Sequence, residues 1–167
     1  FAVLHGKHGE DGTLQGLFDL AGIPYVGAGT TASAACMDKG ITKMIVAGTG
    51  VRQADFYLTD RYAFASDPQG ILKEAEEHFH GKYPLFVKPA NAGSSVGISK
   101  AKNNKELFDA IRIAAEEDHK VLVEEAIVGR EIEVAVLGNR HPRASLIGEI
   151  LAAGEFYDYE AKYISQG

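Results

Sequence analysis

The chain has 167 residues, 46% hydrophobic and 24% charged, with 17 Lys and Arg against 23 Asp and Glu for a formal charge of −6. That is an ordinary globular balance, long enough for a core without disulfides or metal staples, and its single cysteine, Cys36, rules out a disulfide framework and fits a reducing compartment. The acidic balance argues against a nucleic-acid partner, and no apolar run nears the roughly 18 residues that span a bilayer.

Phe1-Ala2-Val3-Leu4 opens the chain in an apolar run without Met or a charged leader, so it reads as the inside of a strand and the chain as a fragment. A glycine-rich turn follows, His5-Gly6-Lys7-His8-Gly9-Glu10-Asp11-Gly12. Leu14, Leu17, Phe18 and Ala21 have helical spacing, with Gly22 as C-cap, and residues 23–26 read as a short strand. Residues 38–47 read as a helix with Ile41, Met44 and Ile45 on one face, stopped by Gly48 and Gly50. Residues 56–58 are extended and 71–79 form a charged, solvated helix. Residues 83–87 form a strand ending on Lys88-Pro89. A loop of small residues, 91–97, leads to a returning strand at 98–101. Residues 105–116 form a helix capped by Asn103 or Asn104, and 121–123 form a strand. Residues 132–137 alternate and pair with 144–150, while 151–167 read as a long loop. The order is α/β at first and then α+β with antiparallel pairs.

Lys88 leaves a buried strand, so its ammonium must reach water or a fixed anion. Alone it reads as a solvated strand end. Beside it, however, lie two glycines and the serines Ser94 and Ser95, whose backbone N–H groups and hydroxyls can cradle phosphate. The P-loop pattern is absent, so a different nucleotide-binding fold is expected. Glu124 and Glu125 end an apolar strand, with Glu131 close behind; such carboxylates can accept from an adenine amino group or ribose hydroxyls, although an isolated acidic pair is more often a solvated strand end. Gly27-Ala28-Gly29-Thr30-Thr31-Ala32 fits a relaxed dinucleotide pattern but lacks the downstream acid, so a plain turn outweighs a nicotinamide site. His5 and His8 lack a third metal ligand and read as loop residues.

The segments His5-Gly6-x-x-Gly9-Glu10-Asp11-Gly12-Thr13-Leu14-Gln15-Gly16, Gly22-Ile23-Pro24-Tyr25-x-Gly27, Met37-Asp38-Lys39, Phe86-Val87-Lys88-Pro89-x-x-x-Gly93-Ser94-Ser95-Val96-Gly97 and Phe156-Tyr157-Asp158-Tyr159-Glu160-Ala161-Lys162-Tyr163 occur in one order along the whole chain. Together they resemble the D-alanine–D-alanine ligases, of the ATP-grasp fold. The resemblance implies the end of an N-terminal Rossmann-like domain at 1–27, a complete central domain at 28–124, and the start of a C-terminal domain at 125–167. It implies that ATP phosphorylates one D-alanine and that a second attacks the acylphosphate, for peptidoglycan synthesis in the cytoplasm. Lys39 and Lys88 match phosphate-contacting lysines, and Ser95 sits in the phosphate loop. Ser94 and Tyr163 match members of a catalytic hydrogen-bonded triad, with Lys162 beside them. Glu124, Glu125 and Ile127 match the adenine hinge, Glu131 the ribose acid, and His5 a histidine near substrate. At the Glu125 position some relatives carry lysine, so contact there can run through the backbone alone. Tyr163 favours an amine as second substrate, D-alanine or D-serine.

The family's first strand, with its Ser-x-Glu, and the C-terminal half that supplies the Mg²⁺ ligands have no counterpart in this sequence. The expectation is therefore a fragment inactive by itself, with no metal ligands of its own, from a homodimer paired through the N-terminal domain. A truncated ATP-binding module without ligase activity is the alternative.

Overall fold

The computed structural model describes residues 3–93 and 95–151. The chain forms two compact units, residues 1–126 and 127–167.

In the first unit, α1 (Thr13–Ala21) ends at Gly22, whose φ of 66° is left-handed, and Ile23 N–H closes the turn on the Phe18 carbonyl at 2.9 Å. Three further helices start on carboxylate caps. Asp38 caps α3 (Lys39–Ala47), Asp60 caps α4 (Arg61–Ser66), and Asp67 caps α5 (Pro68–His78), with Pro68 in the first turn. Asn103 caps α6 (Asn104–Glu117) by accepting from Glu106 N–H at 3.0 Å. Between α1 and α3 lies α2 (Thr30–Met37). The turn expected from Gly27 to Ala32 therefore ends at Gly29, and Thr30 already begins a helix of small residues.

Four antiparallel strands, β1 (Phe56–Asp60), β2 (Leu85–Pro89), β3 (Ser99–Ala101) and β4 (Lys120–Glu125), form one sheet in the order β1-β4-β2-β3. The strand period of 2 gives this sheet two different faces. Leu85, Val87, Ala101, Val121 and Val123 share a buried core with Ile71, Leu72 and Ala75 of α5 and Leu107, Ala110, Ile111 and Ala114 of α6. Removing that much apolar surface from water is the main stabilising term of this unit. Phe86 pairs with Glu124 and Lys88 with Leu122, so Phe86, Lys88, Leu122 and Glu124 lie on the opposite face. Phe56 and Leu58 of β1 extend that face, and α3 packs on it. A Cβ added at Gly40 would lie 3.2 Å from Leu58 Cδ2, so glycine lets the helix approach. Thus one face of the sheet makes the core, and the other brings Lys88 and Glu124 to α3.

The second unit is described through residue 151. It contains two antiparallel pairs: β5 (Glu131–Glu133) with β8 (Gly148–Ile150), and β6 (Val136–Leu137) with β7 (Arg143–Ala144). The expected pairing of 132–137 with 144–150 is present but split into two short ladders.

Two expected strands are corrected. Of the strand expected at 1–4, Phe1 and Ala2 lie outside the described residues; Val3 and Leu4, and residues 23–26, carry no strand, because among the described residues nothing offers them a ladder to join. Val3 is 70% exposed and Val26 61%. The expected loop at 151–167 lies outside the described residues beyond Leu151.

Candidate functional site

Helix α3 presents Lys39 and Lys43 four residues apart, hence on one side of the helix, next to the face of the sheet that carries Lys88 and Glu124. The Glu124 carboxylate is the centre of this cluster. Its Oε1 pairs with Lys43 Nζ and its Oε2 with Lys88 Nζ. Glu124 is only 7% exposed. Burial alone would raise its pKa, but the charges of Lys88 and Lys43 outweigh that and hold the carboxyl below its usual range. Lys43 also donates to the Ala54 carbonyl at 3.0 Å and stands 5.1 Å from the centre of the Phe56 ring, while Lys88 stands 5.7 Å from that of Phe86.

The Lys39 ammonium donates to the backbone carbonyls of Ala92 at 2.8 Å and Ala90 at 3.4 Å. Burial, and then the nearby charge of Lys88, push its pKa down. Lys39, Lys43 and Lys88 thus gather beside the start of the 91–97 loop, with Glu124, Asp38 and Asp118 as the carboxylates near them. A polyanion placed there would relieve the repulsion between Lys39 and Lys88.

The base of that loop is fixed. Asn91 donates its backbone N–H and its Nδ2 to Asp118 Oδ2 at 2.8 and 3.0 Å, and Nδ2 also reaches Asp38 Oδ2 at 3.3 Å. Asp38 accepts from Ile41 N–H at 3.0 Å and pairs with Lys120. Lys39 N–H donates to the Ala90 carbonyl at 3.1 Å, so the helix start and the loop start are stitched together. Further along, Ser95 has φ 61° and Gly97 φ 70°, both left-handed. For serine that backbone is uncommon and costly, a feature that concentrates at ligand-gripping loops. Gly93 lies against Gly6: a Cβ built on Gly93 would sit 2.6 Å from Gly6 Cα. The contact brings the turn that carries His5 onto the loop; His5 itself is exposed.

At the end of β4, Glu125 is exposed and turns to residue 55. Its Oε1 accepts from Asp55 N–H at 2.9 Å and its N–H donates to the Asp55 carbonyl at 3.1 Å. Ile127 and Glu131 belong to the second unit. There Ile127 is 67% exposed, and Glu131 opens β5 opposite Ile150. Ser94, Lys162 and Tyr163 lie outside the described residues.

Of the residues expected from sequence, Lys39, Lys88 and Glu124 thus come together with the 91–97 loop that holds Ser95. Four others were not foreseen: Lys43, Asp38 as an anchor, Asn91 and Lys120. Lys43 carried a legible signal, its four-residue offset from Lys39. Asp38 stood where a helix cap is expected. Among the described residues no group of three or more His, Cys, Asp or Glu side chains could hold a metal ion, so the magnesium implied by the resemblance finds no ligand set in them. No helix of the described residues is long and apolar enough to cross a membrane.

Two family models match. Residues 45–167 fit the D-ala D-ala ligase C-terminus and residues 1–28 the D-ala D-ala ligase N-terminus. The D-alanine–D-alanine ligase of Acetivibrio thermocellus is 57% identical over 98% of this chain and 43% of its own length; that of Clostridium acetobutylicum is 50% identical over 98% and 47%. Among solved structures, a D-Ala:D-Ser ligase from Enterococcus faecalis superposes with a TM-score of 0.83, 44% identity, and coverage of 98% of this chain and 46% of that one. The D-alanine–D-alanine ligase of Coxiella burnetii gives 0.81, 40%, 90% and 44%. The chain therefore spans less than half the length of these relatives. The four-stranded sheet and its helices are the mixed α/β architecture of the ATP-grasp ligases, and this chain belongs to the D-alanine–D-alanine ligase family.

Proposed function

We propose that the full-length protein carrying this chain uses ATP to join two D-alanine molecules through an acylphosphate, in the cytoplasm, for peptidoglycan precursors. The observation that carries this reading is the lysine cluster around Glu124 beside the 91–97 loop, in a chain of this family. Lys39 and Lys88 hold the ATP phosphates and offset charge on the transferring phosphoryl group. Glu124 accepts from the adenine amino group, Glu125 and Ile127 hold the ring through backbone and apolar contact, and Glu131 takes the ribose hydroxyls. Ser95 and its neighbours donate to phosphate. Ser94 and Tyr163 join the loops that close over the intermediate, with Lys162 beside them, and His5 lies near the first D-alanine. An acylphosphate open to water would hydrolyse, so closure protects it.

We assign residues 1–27, 28–124 and 125–167 to the end of an N-terminal domain, the central domain and the start of a C-terminal domain, in a homodimer. A second product is also supported: a D-Ala:D-Ser ligase is 44% identical to this chain, so D-serine is a candidate for the second substrate.

The test is ADP release by the full-length protein with D-alanine, and with D-alanine plus D-serine, followed by product mass. D-alanyl-D-alanine or D-alanyl-D-serine supports a ligase and decides between the two. ATP binding with no dipeptide from either mixture would overturn the ligase reading and leave a nucleotide-binding module.

A further inference from the structure

The geometry points to Lys43 as a positioning residue of the nucleotide site: it is the standing counter-ion of Glu124 that lets Lys88 exchange its carboxylate partner for the nucleotide. The inference rests on the proposed ATP site. Glu124 is 7% exposed and its two oxygens are divided, Oε1 to Lys43 and Oε2 to Lys88. The two lysines are held differently. Lys43 is further tied to the Ala54 carbonyl at 3.0 Å, and its own carbonyl accepts from Gln53 Nε2 at 2.9 Å, so helix α3 and the segment before β1 grip it at both ends. Its side chain is 12% exposed, against 26% for Lys88. Lys88 is thus the more accessible partner, on a strand that runs directly into the 91–97 loop.

When a nucleotide enters, Lys88 can turn to it only if Glu124 keeps a cation. A buried carboxylate stripped of both partners is strongly disfavoured. Lys43 supplies that cation, keeps Glu124 ionised, and leaves Oε2 directed to accept from an exocyclic amino group. Adenine offers a donor at that position and guanine an acceptor, so a fixed Glu124 discriminates between them. Without Lys43, Lys88 becomes the sole counter-ion and is withheld from the nucleotide.

The test uses the full-length protein with ATP and GTP. Lys43→Met should raise the KM for ATP by about tenfold or more while kcat changes far less, because the residue acts on binding and not on the reacting atoms. The preference for ATP over GTP should narrow. Lys43→Arg, which can still pair with Glu124 and reach Ala54, should recover most of the affinity. In a Glu124→Gln background the Lys43→Met effect should disappear, since the residue acts through that carboxylate. An unchanged KM in Lys43→Met, or an equal loss in both backgrounds, would overturn the inference. If Lys43→Met does not fold, Lys43→Arg and Lys43→Gln carry the same comparison. Absence of ATP binding by the unsubstituted protein would instead overturn the underlying reading of the site.

Discussion

The contact between Gly93 and Gly6 makes a sharp steric prediction. A Cβ at Gly93 would lie 2.6 Å from Gly6 Cα and 3.2 Å from Gly6 N. Ordinary contact begins near 3.4 Å, so the two backbones must part by 3.4 − 2.6, about 0.8 Å. Both obstacles are backbone, and no side-chain rotation relieves them. Gly93→Ala should therefore cost about 1–3 kcal/mol of stability, as overpacking does. It should also displace the 91–97 loop, and a shift approaching 1 Å in a positioning loop can cost about 100-fold in turnover. Gly6→Ala is the matched control. Its Cβ would meet Gly93 Cα at an ordinary 3.8 Å, and its handicap is the φ of 72°. That left-handed backbone costs alanine about 1–2 kcal/mol without separating the loops. The assay pairs thermal or urea unfolding with ADP release on the full-length protein. Gly93→Ala should lose turnover well beyond its loss of stability, and Gly6→Ala should lose stability with turnover nearly kept. Equal turnover in the two variants would refute the steric account.

Asp38 caps α3, pairs with Lys120 and meets Asn91, with its side chain 6% exposed; Asp38→Ala should cost about 2–4 kcal/mol, below the value of a fully buried pair because Lys120 is 33% exposed. Urea midpoints that match the unsubstituted protein would contradict this. The acid limb of stability follows from three carboxyls. Burial raises the pKa of Asp38, Asp118 and Glu124, but Lys120 with Ile41 N–H and Asn91, then Asn91 with His119, and then Lys88 with Lys43, respectively, more than reverse it. Their folded values lie below the unfolded ones, so the stability they contribute is complete above about pH 4–5 and is lost as pH falls through the folded values. Unfolding free energy should drop steeply below that range, and a flat profile down to pH 3 would contradict the sign.

Much of the sheet and part of the site were legible in the sequence because local rules and tertiary packing agree there. Leu85, Val87 and Pro89 alternate with Phe86 and Lys88, and that alternation places lysine on the face away from the core. Helix α6 shows both its cap at Asn103 and its buried stripe. Helix α2 was hidden because Thr30, Thr31, Ala32, Ser33, Ala34 and Ala35 have no apolar face to reveal a period, and Ser33 alone in it is buried. The apolar residues at Val3, Leu4 and 23–26 suggested strands, but a strand exists only with a partner, which no local pattern can supply. Lys43 and Asn91 escaped for a related reason. Their partners Glu124 and Asp118 are far away in sequence, and only the β2–β4 register and the end of α6 bring them near.

The most direct test of the site is ATP titration of the full-length protein and of its Lys88→Ala variant by calorimetry. Lys88 is bound to Glu124 on the strand that leads into the 91–97 loop, so in the proposed site its loss removes a charge-assisted phosphate contact and leaves Lys43 as the partner of Glu124. The account predicts ATP binding by the unsubstituted protein and affinity lowered about 10- to 100-fold in the variant. Equal affinity in the two proteins, both folded, would contradict it.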